Sequence, residues 1–258
     1  MGRRIGDRRL LPLIRRYLEA GLMLNGVVME RWEGTPQGGP LSPLLANILP
    51  EEVDQALERR GHSFARYADD CNVYVRSRRA GERVMEALRK LYGDLRLKIN
   101  EERSAVALAT SRKFLGYSFR YGPKGTVKLR VAGKARTAMK ERVRIITRRS
   151  RGRGMEEVIA DLREFLRGWK NSFRLAETPG VFRDLDEWIR HRLRARQLKL
   201  WKRGTTMFRE LCKLGASESL AAKIAAHGRR WWSTSRGYLH HVLTIRTFDG
   251  WGLPRLAT

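Results

Sequence analysis

Cysteine is nearly absent from this chain: Cys71 and Cys212, far apart, are the two in 258 residues. That excludes a disulfide framework and a cysteine-rich zinc module. Long apolar runs are missing as well. No stretch approaches the ~20 residues that span a bilayer, and no unbroken apolar segment follows the basic opening Met1-Gly2-Arg3-Arg4, so no secretory leader is read. A cytoplasmic location without a membrane partner is therefore expected. Histidine is scattered. His62, His191, His227, His240 and His241 stand at no convincing ligand spacing to Cys, Asp or Glu, and adjacent His240 and His241 would point apart on a helix or strand. Acid is the scarcest relative to its opposite: 27 Asp and Glu against 54 Lys and Arg, a net charge of +27. A folded chain this basic repels itself unless a polyanion neutralises it. Nucleic acid is the default partner, with an anionic membrane surface or a ribosomal location as the alternatives.

What is present sorts into two halves. Leu10, Leu11, Ile14, Leu18 and Met23 predict a helix over about 7–24. A Gly/Pro-rich loop, Gly34 to Pro43, leads into a second helix that Pro50 should interrupt. Around Ala68-Asp69-Asp70-Cys71 the period changes, and aromatic and β-branched residues flanking a tight acidic turn predict a hairpin over 63–77. A helix over 81–92 follows, then strands at 95–99 and 114–119, and a Gly122-Pro123-Lys124-Gly125 turn joining two extended stretches. After about Gly133 the pattern is helical throughout and strongly basic: residues 134–203 carry 21 Lys and Arg against 9 Asp and Glu. Val158, Leu162, Phe165, Leu166 and Trp169 form one apolar stripe, and Phe182, Leu185, Ile189 and Leu193 the next. Thr178-Pro179 reads as a helix cap followed by proline at the first turn. The fold class is α+β: an antiparallel sheet with helices over 1–132, then an all-α region over 133–258.

Tyr67-Ala68-Asp69-Asp70 concentrates the chemistry. Two adjacent carboxylates at a hairpin tip must be solvated, salt-bridged or bound to a cation. Hard divalent ions such as Mg2+ take a few carboxylate oxygens plus substrate phosphates, and two-metal phosphoryl transfer needs such a cluster. The residues alone leave open an Asx turn with a spare acid. Upstream, Gly34-Thr35-Pro36-Gln37-Gly38-Gly39-Pro40 pairs glycines, which let backbone approach a ligand, with an amide that can reach a base or ribose. The same loop could be an ordinary tight turn.

The ordered set GTPQGGPLSPLLANI, RYADD, LKINEERS and RKFLGYSF resembles the second half of the reverse transcriptase domain of group II intron-encoded proteins. Behind it, LREFLRGWKNSFRLAE and VFRDLDEWIRHRLRARQLKLWKR resemble the thumb and maturase-specific region of the same proteins. The resemblance spans nearly the whole chain and implies a partial polymerase palm followed by a helical thumb/maturase region. It implies an RNA-directed DNA polymerase that uses two Mg2+ ions, takes an RNA template, a DNA primer and dNTPs, and binds intron RNA to assist splicing. Asp69 and Asp70 then resemble the palm acids and metal ligands. Tyr67 and Ala68 lie at the primer end, Gln37, Gly38, Gly39 and Pro40 shape the nucleotide pocket, and Phe114, Leu115 and Gly116 match the primer grip. Arg167, Lys170, Arg174, Arg190, Arg194, Lys199, Lys202 and Arg203 lie in the RNA-binding segment. Physical chemistry alone favours Trp169 and Trp188 as core anchors rather than base stackers.

Two departures from the family pattern matter. Its third palm carboxylate belongs to a strand ahead of the helix containing Asp7, and Met1 lies just past that point; Asp7, read as helical, does not replace it. The fingers are not recognised either, so a second chain could be required to supply them. Arg103 stands where the family usually has a lysine, and arginine holds its proton too tightly to give it readily to pyrophosphate. No Cys/His-rich endonuclease module is expected. The alternatives are a non-polymerising RNA-binding splicing cofactor and an inactive truncated remnant.

Overall fold

The computed structural model describes residues 7, 9–24, 27–29, 39–148, 152–228 and 230–257, with backbone alone at 22–24 and 27–29. Gln37 and Gly38 lie outside the described residues. The chain divides into two compact units, Met1–Ala107 and Leu108–Thr258. The change of composition near residue 133 falls inside the second unit, because the strands just ahead of it share that unit's core.

In the first unit, α1 (Leu10–Glu19) stops earlier than its apolar spacing suggests. Ala20 turns extended, and β1 (Leu22–Leu24) pairs antiparallel with β2 (Val27–Met29). Asp7 precedes the helix, and its carboxylate accepts the Arg9 amide at 2.8 Å. Pro50 separates α2 (Ser42–Ile48) from α3 (Glu51–Arg59), as a residue without an amide hydrogen should. Glu51, Glu52 and Asp54 crowd the first turn of α3, where the helix dipole favours negative charge. β3 (Ser63–Tyr67) and β4 (Asp70–Tyr74) form the expected hairpin. Then α4 (Arg78–Asp94) begins at Ser77, whose hydroxyl accepts the Ala80 amide.

The strand expected at 95–99 does not form. Arg96 takes a φ of 57°, and the Leu97 amide donates back to the Tyr92 carbonyl. The chain thus wraps the end of α4, and the Leu95/Leu97/Ile99 alternation finds no partner strand among the described residues. Leu45, Val53, Ala56 and Leu57 are the buried hydrophobic residues among those described in this unit.

The second unit opens with a three-stranded antiparallel sheet in the order β5 (Lys113–Phe114), β6 (Tyr117–Tyr121), β7 (Val127–Val131). Then come α5 (Gly133–Ile146), α6 (Met155–Ser172), α7 (Pro179–Trp201), α8 (Gly204–Lys213) and α9 (Glu218–Ala226). Two short helices, α10 (Trp231–Arg236) and α11 (Ile245–Gly250), had no clear sequence signal. The apolar stripe of α6 is buried against Leu185, Ile189, Leu193 and Leu198 of α7, and Val131 and Tyr117 of the sheet join the same cluster. Trp169 is a core anchor, stacked 4.7 Å from Phe173 and edge-on to Phe182. Thr178 makes no capping hydrogen bond, so the start of α7 rests on Pro179 and not on a threonine cap. His240 and His241 do not point apart: in a 3-10 turn their rings lie 3.9 Å from one another.

The C-terminal segment is latched to the long helices. The buried Asp186 carboxylate accepts the amides of Leu256 and Ala257 at 3.0–3.1 Å. Arg163 donates to the carbonyls of Trp251 and Gly252, and Lys170 to that of Arg255. No helix among the described residues is long and apolar enough to cross a membrane.

Candidate functional site

The acidic turn sits at the end of a two-stranded ladder closed by the Tyr67–Asp70 pair, with Ala68 and Asp69 as its two-residue loop. Ala68 carries a φ of 50°, a left-handed conformation that costs a non-glycine residue about 1 kcal/mol. Side chains alternate along each strand. Phe64, Arg66, Cys71 and Val73 therefore share one face of the hairpin, and Ala65, Tyr67, Asp70 and Asn72 the other. Tyr67 is 63% exposed, and Asp69 and Asp70 are exposed too. The acids are presented to solvent, as metal ligands that take substrate phosphates must be.

What holds this tip is Arg66. Its Nε lies 2.8–2.9 Å from both carboxylate oxygens of Asp54 on α3, and its Nη2 lies 2.6 Å from Oδ2. The remaining nitrogen, Nη1, donates at 3.3 Å to Asn47 Oδ1 on α2 and to the Ala68 carbonyl in the turn itself. One guanidinium thus ties two helices to the loop that carries Asp69. Beneath it the environment is apolar. Burial pushes the Cys71 thiol up to about 11 and the Tyr92 hydroxyl up to about 12, so both stay protonated at neutral pH. Arg66, Asp54 and Asn47 were given no role from sequence. The available signal was parity: an arginine one residue from an outward tyrosine must face inward, and an inward charge needs a partner.

Two adjacent exposed carboxylates suit Mg2+ that keeps most of its water and takes its other oxygens from phosphates. Among the described residues no group of three or more His, Cys, Asp or Glu gathers, so a whole two-ion centre is not assembled by these residues.

The other expected site residues are distributed. Gly39 and Pro40 lead into α2, where the Gly39 carbonyl accepts the Ser42 amide. Arg103 is exposed, its amide bound to Asn100. Phe114, Leu115 and Gly116 make a second tight hairpin, which belongs to the second unit. Leu115 and Gly116 have φ of 50° and 80°, the pattern of a primed turn. A Cβ at Gly116 would come within 3.0 Å of the Phe173 ring, so this turn is fitted closely against the end of α6.

On the helical unit, Arg167, Arg174, Lys202 and Arg203 are exposed, and Arg190 is half-buried. Lys199 lies 5.3 Å from the Trp231 ring centroid. Arg194 differs from expectation. It is 8% exposed, donates to the Leu243 carbonyl at 2.9 Å and stacks over Phe248, and burial lowers it to about 10. Its charge faces the interior, where it serves the packing of α7 against the C-terminal segment. Trp188 is half-buried and packs against the core cluster of this unit, with cations around its ring.

An acidic hairpin braced by helices, ahead of a basic helical unit, is the arrangement of a reverse transcriptase-type polymerase palm with a nucleic-acid-binding extension. The profile of the reverse transcriptase (RNA-dependent DNA polymerase) family matches residues 5–119. That of the group II intron maturase-specific domain matches residues 136–215. The chain belongs to the group II intron reverse transcriptase/maturase family. Among similar proteins, group II intron-encoded protein LtrA of Lactococcus lactis subsp. cremoris is 34% identical over 37% of this chain and 16% of its own length. Protein YkfC of Escherichia coli strain K12 is 30% identical over 40% of this chain and 36% of its own. An uncharacterized 91 kDa protein in the cob intron of Schizosaccharomyces pombe is 38% identical over 24% of this chain and 8% of its own. The matched region thus spans little more than a third of these relatives at most.

Proposed function

We propose that this chain binds intron RNA through its cationic helical unit and contributes Asp69 and Asp70 to an RNA-directed DNA polymerase site that takes an RNA template, a DNA primer and dNTPs. The observation that carries the reading is the braced hairpin: a part-buried ion pair and a strained loop are spent on holding two acids out in solvent. When bound there, Mg2+ would supply activation of a primer 3′-hydroxyl and charge stabilisation for departing pyrophosphate. The protein's own part is positional. Arg66 fixes the turn, Tyr67 and Ala68 shape the surface at the primer end, and Asp69 and Asp70 offer oxygens. A further carboxylate and the fingers would come from outside the described residues, for example from a second chain.

One observation favours a second reading, in which the chain is a splicing cofactor without polymerase activity. Among the described residues two acids, not three, gather at the hairpin. Primer extension on an RNA template in Mg2+ separates the two. The proposal predicts extension by this chain, supplemented with a fingers-containing fragment, and a loss of at least about a thousandfold in D69A/D70A, since positioned charge supplies most of the catalysis in phosphoryl transfer. Absence of extension in both proteins, with RNA binding intact, selects the second reading.

A further inference from the structure

Three cations converge on one indole in the helical unit. Lys140 Nζ and the guanidinium carbons of Arg144 and Arg192 lie 5.5, 5.6 and 5.4 Å from the ring centroid of Trp188. The spacing is regular on both helices: Lys140 and Arg144 are one turn apart on α5, and Trp188 and Arg192 one turn apart on α7. No two of the three charges can be more than about 11 Å apart, close to a Debye length at moderate salt, so they repel one another without full screening. Among the described residues no carboxylate forms an ion pair with Lys140 or Arg144. An aromatic face satisfies one cation well and three poorly.

The cluster is also held in place. Arg192 Nε donates to Thr147 Oγ1 at 2.9 Å, and that hydroxyl donates to the Val143 carbonyl at 2.6 Å, fixing the arginine against the end of α5. Arg144 is exposed, while Lys140, Trp188 and Arg192 are half-buried. The site is therefore open on one side. A fixed trio of cations on an aromatic floor, reached from solvent on the Arg144 side, is what an incoming anion completes.

We infer that Lys140, Arg144 and Arg192, gathered around Trp188, form a seat for one phosphate of an RNA backbone. The inference rests on the RNA-binding part of the proposed function and deepens it by naming where a phosphodiester docks. Guanidinium nitrogens and the ammonium reach phosphate oxygens directly, and the indole offers a surface for the adjoining base or ribose. The contact is to phosphate, so it adds affinity without sequence preference.

The test is a titration of the full chain with intron RNA across a series of salt concentrations. K140Q/R144Q is compared with the unmodified chain and with R83Q/K90Q, a pair of exposed cations on α4 whose removal changes net charge equally. K140Q/R144Q is expected to lower affinity about tenfold and to reduce the slope of log K against log salt by about one, as losing one neutralised phosphate should. The α4 pair is expected to change the slope far less. If K140Q/R144Q does not fold by circular dichroism, the exposed single variant R144Q carries the same comparison with a smaller drop. A second arm adds inorganic phosphate at constant ionic strength. Stabilisation of the unmodified chain by phosphate, with an RNA slope equal in K140Q/R144Q and the α4 pair, would mean a seat for free phosphate and would overturn the RNA assignment. Equal slopes without any phosphate effect would overturn the site itself. Failure of the unmodified chain to bind RNA would instead defeat the RNA-binding function on which the site depends.

Discussion

Arg66→Ala is expected to unfold the acidic hairpin while the helical unit stays folded. The side chains of Arg66 and Asp54 are only 15% and 18% exposed. Removing the arginine leaves a mostly buried carboxylate without its counter-charge, and removing one partner of such a pair typically costs about 3 kcal/mol. The loss reaches further than the pair, because the same guanidinium also supports Asn47 and the Ala68 carbonyl. Among the described residues of the first unit, Leu45, Val53, Ala56 and Leu57 are the buried hydrophobic ones that could absorb it. Hydrogen exchange resolves the outcome by segment. Amides of residues 63–74 should lose protection by two or more orders of magnitude, about the equivalent of 3 kcal/mol, while those of α6 and α7 keep theirs. Arg66→Lys should fall between, since an ammonium cannot bind Asp54 in the two-pronged way and reach the turn as well. Unchanged protection in Arg66→Ala would show that the turn stands without its brace.

Arg196→Ala should produce the largest loss in the helical unit. This arginine is 2% exposed, on the inner side of α7, and burial lowers its pKa from the usual arginine range. No carboxylate pairs with it among the described residues. Its Nη1 and Nη2 instead donate to the carbonyls of Arg148 and Arg153 at 2.7 and 2.5 Å, joining the segment after α5 to the segment before α6. Truncation removes a large packed side chain and leaves two carbonyls without donors, together about 3–5 kcal/mol. Arg196→Met refills the volume but not the hydrogen bonds, so it should recover about half. Chemical denaturation followed by tryptophan fluorescence measures both. Equal stability of the methionine variant and the unmodified chain would mean that packing, not carbonyl capture, explains the buried arginine.

These two arginines also show where the sequence was legible and where it was not. The hairpin and the α6 and α7 stripes follow from period and turn chemistry, because alternation and helical spacing are local properties. The strand expected at Leu95–Ile99 had the right alternation but no partner, and pairing is not local. Within the basic stretch 190–203, composition could not separate Arg194 and Arg196, which face the interior, from Lys202 and Arg203, which face solvent. Sidedness is set by the roll of α7 against α6 and the C-terminal segment. Trp188 was legible only in part: it packs against the core as its size suggests, but the cations that α5 and α7 bring around its ring are not a local property. Arg66 lay within a recognised motif, yet its role depended on Asp54, twelve residues earlier on another element.

RNA binding is proposed to belong to the cationic helical unit and not to the acidic hairpin. Titrating the full chain and D69A/D70A with intron RNA, in EDTA and over a range of salt, tests it most directly. Both proteins should bind equally, with log K falling linearly in log salt at a slope of several units as condensed counterions are released. Binding that is insensitive to salt, or that is lost in D69A/D70A, would contradict it.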